Sequence, residues 1–326
     1  MHKSFLRILA IAVALVVLSF TASIAATLGG SVDAGKFPGY VVVPLGRSEG
    51  NHLVIPAVIG SKRVQFIVDT GAPQSVIDAG VARKLQLPPP PPGSGLPAKI
   101  AIGEQLRDIV LLPNLIVQGM DLGGGPMTAA KGYKSFTLSL KGKFDDSDGL
   151  FGNDILTRQN AILNCKTQQL FLNTDPKLIT DPSPALQKAG YVRIPLKVAG
   201  HLFAPCKLNG KDFWIIVDTG AALTTVESEV LKSRGIKSIT TPVYSSGISL
   251  SGRDLRYVPF EAHKLSIGGV SIAQDITARN LEGFFSEEKQ VIGLLGAEVL
   301  HRHSAVIDFP HKALWLRPMP AVSRRK

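Results

Sequence analysis

The sequence predicts an all-β protein of two similar lobes with few short helices, and three observations carry that prediction. Gly (32) and Pro (22) are abundant while aromatic residues make up 6%, the composition of short strands joined by many turns. The apolar runs are short, rich in β-branched residues and bounded by turn formers. One run and its turn are written twice: FIVDTGA at Phe66 to Ala72 returns inside WIIVDTGA at Trp214 to Ala221.

The 326 residues suffice for two ordinary domains or one bilobal one, each burying its own core. With 45% apolar and 19% charged residues, the chain is globular rather than disordered. Net charge is +11, or +9 without Lys3 and Arg7. The positive charge is not clustered with interleaved aromatics, so nucleic acid is not an expected partner. It reads as solvated lysines and a basic tail, Arg324 to Lys326. Cys165 and Cys206 fall one in each half, and two readings stand: a lone disulfide, or two small buried residues.

In chain order, Lys3 and Arg7 precede the apolar run Ile8 to Phe20 and the small residues Ser23 to Ala26. That is the grammar of an export signal over residues 1–26, cleaved after Ala25 or Ala26, which predicts a periplasmic or secreted protein. The 13-residue run is short against the roughly 20 residues of a membrane helix, so no stable span is expected after cleavage. Tyr40 to Leu45 and His52 to Ile59 read as strands, and Val64 to Val68 runs into Asp69. Helices are expected only after the two DTGA turns, at Val76 to Leu85 and Thr225 to Ser233, the second capped by Gly235. Hairpins are expected at Lys99 to Ile109 and Gly247 to Val258, with Gly103 and Gly252 at their turns. The proline-containing stretch 174–189 reads as a linker between lobes at 37–173 and 190–318.

Asp69 and Asp218 lie 149 residues apart, and the same offset pairs His52 with His201, Pro56 with Pro205, Lys62 with Lys211, Gly103 with Gly252 and Arg107 with Arg256. Gly149-Leu-Phe-Gly152 matches Gly293-Leu-Leu-Gly296 at an offset of 144. Ten residues past each block's last glycine, Ile162 or Val306 begins a strand-like run, ILNCKTQQLFL or VIDFPHKALWL.

Two copies of hydrophobic-hydrophobic-Asp-Thr-Gly, followed after 80 and 75 residues by hydrophobic-hydrophobic-Gly, resemble the aspartic peptidases, the pepsins and retropepsins. Ala72 and Ala221 after each DTG, and the small lobes, look more like two retropepsin units fused in one chain, similar to bacterial exported proteins of that type. The resemblance implies a bilobal acid-protease fold, with two β-barrel-like lobes related by a pseudo-twofold axis. It implies an aspartic endopeptidase acting on peptide or protein substrates as a monomeric internal pseudo-dimer, without metal or organic cofactor.

By that resemblance Asp69 and Asp218 are the catalytic pair. Two adjoining carboxylates share one proton, and the pair activates a water. Gly71 and Gly220 let the turns approach without a Cβ in the way, and Thr70 and Thr219 hydrogen-bond across the axis. Substrate lies under flaps, for which the candidates are Gly103, Gly252 and Tyr244. Alanine in place of the serine of pepsins removes a donor to the charged form, so activity is expected to extend toward neutral pH.

The principal rival is a catalytically weak or inactive peptide-binding protein of the same fold, whose mark is the loss of one Asp; both are present. A glycosidase's paired acids come without a symmetric DTG frame. His301 and His303 form an HxH that reads as part of a strand, a metal-ligand pattern for which the first half holds no copy. No GxSxG elbow supports a serine hydrolase.

Overall fold

The computed structural model describes residues 39–48, 50–102, 105–130, 147–227, 230, 246–248, 254–256, 258–260, 265–272, 276–279 and 290–319. Strands dominate. In the first half one sheet runs in the order Lys99–Ile102, Gln105–Leu112, Gly125–Ala130, Val76–Asp78, Gly149–Phe151, Lys62–Val68, Leu53–Ile59, Ile116–Val117, Met120–Asp121. Among the described residues the second half repeats that order from its second strand on: Val258–Phe260, Ile276–Arg279, Thr225–Glu227, Val291–Leu295, Lys211–Val217, His201–Leu208, Leu265–Ile267, Val270–Ile272. The sequence repeat is thus a repeat of topology, and the molecule is bilobal.

The glycine blocks have a topological reason. Gly149–Phe151 threads between two strands, parallel to Phe66–Val68 on one side and antiparallel to Val76 and Ile77 on the other. A Cβ at Gly149 would overlap the Val76 carbonyl oxygen, and one at Gly293 that of Thr225.

A six-stranded sheet joins the halves: Tyr40–Pro44, Gln169–Asn173, Ile162–Asn164, Val306–Asp308, Ala313–Leu316, Val192–Pro195. Its centre pairs one half with the other, Ile162 opposite Asp308 and Leu163 opposite Ile307. Alternate residues face opposite sides, as strands require. Leu163, Leu170, Ile307 and Leu314 enter the main core, while Ile162, Phe171, Val306 and Trp315 pack with Tyr40, Leu186 and Tyr191. Leu186 sits on the helix Ser183–Lys188, which lies within the stretch read as a linker.

Both helix expectations after the DTGA turns need correction. Val76–Asp78 is a buried strand, and the helix, Ala79–Lys84, starts where Asp78 caps the N–H groups of Gly80 and Val81 at 2.8 and 3.0 Å. Thr225–Glu227 is likewise a strand, paired with Ile276–Arg279 and Val291–Leu295, while Val230, the next residue described, is helical; Gly235 lies outside the described residues. Positions that complete a sheet between two neighbours are fixed by that pairing rather than by local helical pattern.

Candidate active site

Each DTGA turn hangs from a buried strand. Val64, Phe66, Ile67 and Val68 are buried, and the Asp69 N–H then donates to the Phe151 carbonyl at 3.0 Å. In the other lobe the Asp218 N–H donates to the Leu295 carbonyl at 3.0 Å. The aspartate side chain closes the turn on its own backbone. Asp69 Oδ1 accepts from the N–H groups of Gly71 and Ala72 at 2.8 and 3.1 Å, and Asp218 Oδ1 from those of Gly220 and Ala221, both at 2.9 Å.

The two turns lock through their threonines. The Thr70 N–H donates to Thr219 Oγ1 at 3.0 Å, and the Thr219 N–H to Thr70 Oγ1 at 3.1 Å. Each hydroxyl then donates to the opposite strand, Thr70 to the Val217 carbonyl at 2.8 Å and Thr219 to that of Val68 at 2.6 Å. The approach leaves no room for side chains at the glycines. A Cβ at Gly71 would fall on the Asp218 carboxyl, and one at Gly220 on the Asp69 carboxyl.

The carboxyls of Asp69 and Asp218 adjoin, each seated against the turn glycine of the other lobe and acting on the other. Burial first, and the adjoining Asp218 carboxyl second, hold Asp69 well above the usual carboxylate range, against the pull of the Gly71 and Ala72 N–H donors. Two such groups cannot both ionise cheaply, so they share a proton and titrate as a pair. The arrangement offers a base and an acid side by side.

This raised titration has a stability consequence. Between the unfolded Asp value of about 3.9 and the higher folded value, the native chain holds a proton that the unfolded chain has lost, so stability falls as pH rises. Asp69→Asn removes that penalty. Its melting temperature is expected to exceed that of the parent chain at neutral pH, with the gap closing toward about pH 3. An equal gap at both pH values would contradict the assignment.

Behind each turn sits a pair that the sequence reading missed. The Ser75 N–H and hydroxyl donate to Asp154 Oδ1 at 2.9 and 2.6 Å, while Ser75 Oγ accepts from the Gly152 N–H at 2.9 Å. In the other lobe the Thr224 N–H donates to Glu298 Oε1, and the Gly296 N–H donates to Thr224 Oγ1 at 2.9 Å. The signal was present, since Ser75 and Thr224 keep the 149-residue offset, and Asp154 and Glu298 the 144-residue one. Acid and hydroxyl clamp the DTGA turn to the glycine block.

Of the residues singled out from sequence, Asp69, Thr70, Gly71, Asp218, Thr219 and Gly220 come together at this one place. Gly103, Gly252 and Tyr244 lie outside the described residues. The strands of both candidate flap hairpins are described, pairing Ile102 with Gln105 and Ile248 with Asp254. Cys165 and Cys206 are free and buried, and burial pushes each thiol up to about 12. His301 belongs to the helix Ala297–Arg302 and His303 caps its end, so the HxH is not on a strand. His303 is buried, and its Nδ1 lies 3.0 Å from the Arg317 carbonyl oxygen.

A family model described as aspartyl protease matches the chain twice, over residues 54–155 and 204–299. The two matches fall one in each half and carry one DTGA turn apiece. No curated protein matches the chain. Among solved structures, the aspartic proteinase from Irpex lacteus is similar at 13% identity and a TM-score of 0.46, over 87% of this chain and 99% of that one.

Proposed function

The chain belongs to the aspartyl protease family, and on that premise we propose that it is an aspartic-type endopeptidase in which Asp69 and Asp218 activate the attacking water. The observation that carries this reading is the contact of two carboxyls, each held by two backbone N–H groups of its own turn. The ionised carboxyl takes a proton from the water as it attacks the peptide carbonyl, and the protonated one polarises that carbonyl. As the tetrahedral intermediate collapses, the C–N bond breaks and a carboxyl returns a proton to the departing amine.

Substrate binds as an extended strand between the two hairpins and the floor formed by the turns. One chain supplies both aspartates, so a monomer suffices, with lobes at 37–173 and 190–318. The leader, with Lys3, Arg7 and the run Ile8 to Phe20, supports an exported location, which cell fractionation checks.

To test the activity, the full chain is incubated with a diverse peptide pool from about pH 3 to pH 8, with and without a statine-type isostere of the tetrahedral intermediate. The expected result is internal cleavage that the isostere suppresses. Peptide binding without cleavage across the range would favour a peptide-binding protein of this fold instead.

A further inference from the structure

The two turns are alike in backbone and unlike at one side chain. After each glycine block the next N–H reaches back to the DTGA turn, Asn153 to the Ala72 carbonyl at 2.9 Å and Ala297 to the Ala221 carbonyl at 2.8 Å. Asn153 goes further. Its Nδ2 donates to the Thr70 carbonyl at 2.9 Å and to the Gly200 carbonyl, in the other half, at 3.1 Å. Both neighbours are acceptors only, which fixes the amide orientation. Ala297, at the equivalent position, has no side-chain donor to offer.

A second observation sets Asn153 apart. Asn153 is 5% exposed, and its Oδ1 is buried without a hydrogen-bond partner among the described residues. An orphaned buried carbonyl destabilises a fold. Position 297 shows that a small apolar residue serves the packing, so what the amide at 153 adds is its two hydrogen bonds to backbone carbonyls.

The reason lies in the peptide unit it grips. The Thr70 carbonyl and the Gly71 N–H belong to one peptide, and that N–H donates to Asp69 Oδ1 at 2.8 Å. A donor on the carbonyl end polarises the unit and strengthens what its N–H gives. Among the described residues the one charged group acting on Asp69 is Asp218. On the Asp69 side, the Gly71 and Ala72 N–H donors of its own turn oppose that repulsion.

We propose that Asn153 is a positioning residue for one half of the pair: gripping the Thr70–Gly71 peptide and tying it to Gly200, it favours the ionised form of Asp69. Its effect on turnover rests on the hydrolase reading above; its effect on Asp69 does not.

The test is a carboxyl-carbon NMR titration of the full chain carrying labelled aspartate, with the two signals assigned through Asp69→Asn and Asp218→Asn. In Asn153→Ala the Asp69 midpoint is expected to move up by roughly half a pH unit, and the acid limb of kcat/KM moves with it. Ala297→Asn, which leaves Asn153 in place, adds the corresponding donor in the other lobe and is expected to lower the Asp218 midpoint. If Asn153→Ala does not fold, Asn153→Ser removes the same donor. An Asp69 midpoint unchanged in the position-153 variant, or an Asp218 midpoint untouched by Ala297→Asn, overturns the proposal. If the parent chain cleaves no peptide, the hydrolase reading fails while the titration still decides this one.

Discussion

Gly220→Ala is expected to lower kcat/KM by about 10²-fold or more, because its new methyl occupies the place of the Asp69 carboxyl. The Asp69 carboxyl accepts from Gly71 and Ala72 and contacts Asp218, so moving it breaks the turn or separates the pair. A displacement of about 1 Å at reacting groups costs on the order of 10²-fold, and forcing an extra methyl into a packed site costs about 1–3 kcal/mol in stability. Gly71→Ala, whose Cβ meets the Asp218 carboxyl, is expected to behave alike. The control is Gly46→Ala, where a Cβ finds its nearest neighbours at 3.8 Å and neither rate nor melting temperature should move. Near-parental activity in Gly220→Ala would mean that the turns are not this close in solution.

The threonine lock predicts the largest stability effect. Thr219→Val keeps the shape, but it takes the acceptor from the Thr70 N–H and the hydroxyl donor from the Val68 carbonyl, both buried. Each orphaned group costs roughly 1–3 kcal/mol. Thr70→Val does the same to Thr219 and Val217. The double variant should fall short of the sum, since all four bonds form one network. The halves should stay joined, because the six-stranded sheet holds them independently. Thermal unfolding measures the loss. Thr219→Ser, which keeps the hydroxyl, is expected to recover most of it, and equal destabilisation by Val and Ser would contradict the lock.

Much of this was legible because duplication writes the architecture twice. Asp69 alone is a strand followed by an Asp turn; its copy at Asp218, in register with the glycine blocks, turns one carboxyl into half of a pair. The glycine blocks were visible as letters, but their reason was not, since only the interleaving of Gly149–Phe151 between two strands explains it. Val76 to Leu85 misled because a β-branched residue and a helical run share one apolar stretch, and the boundary is set at Asp78 by a cap and a sheet neighbour. Ser75, Asp154, Thr224 and Glu298 keep the repeat offsets yet differ in identity, so residue matching passed over them. Asn153 was invisible for the opposite reason, being where the repeat breaks.

The central claim is that hydrolysis needs both carboxyls, and the most direct measurement is the single-turnover rate of Asp69→Asn and Asp218→Asn beside the parent chain on one peptide that it cleaves. Either change removes an acid or base from a step in which such groups contribute about 10²–10⁴-fold. Both variants are therefore expected to lose at least that factor while keeping the fold, with Asp69→Asn melting above the parent at neutral pH. Cleavage at the parental rate by either variant would contradict the shared-water mechanism.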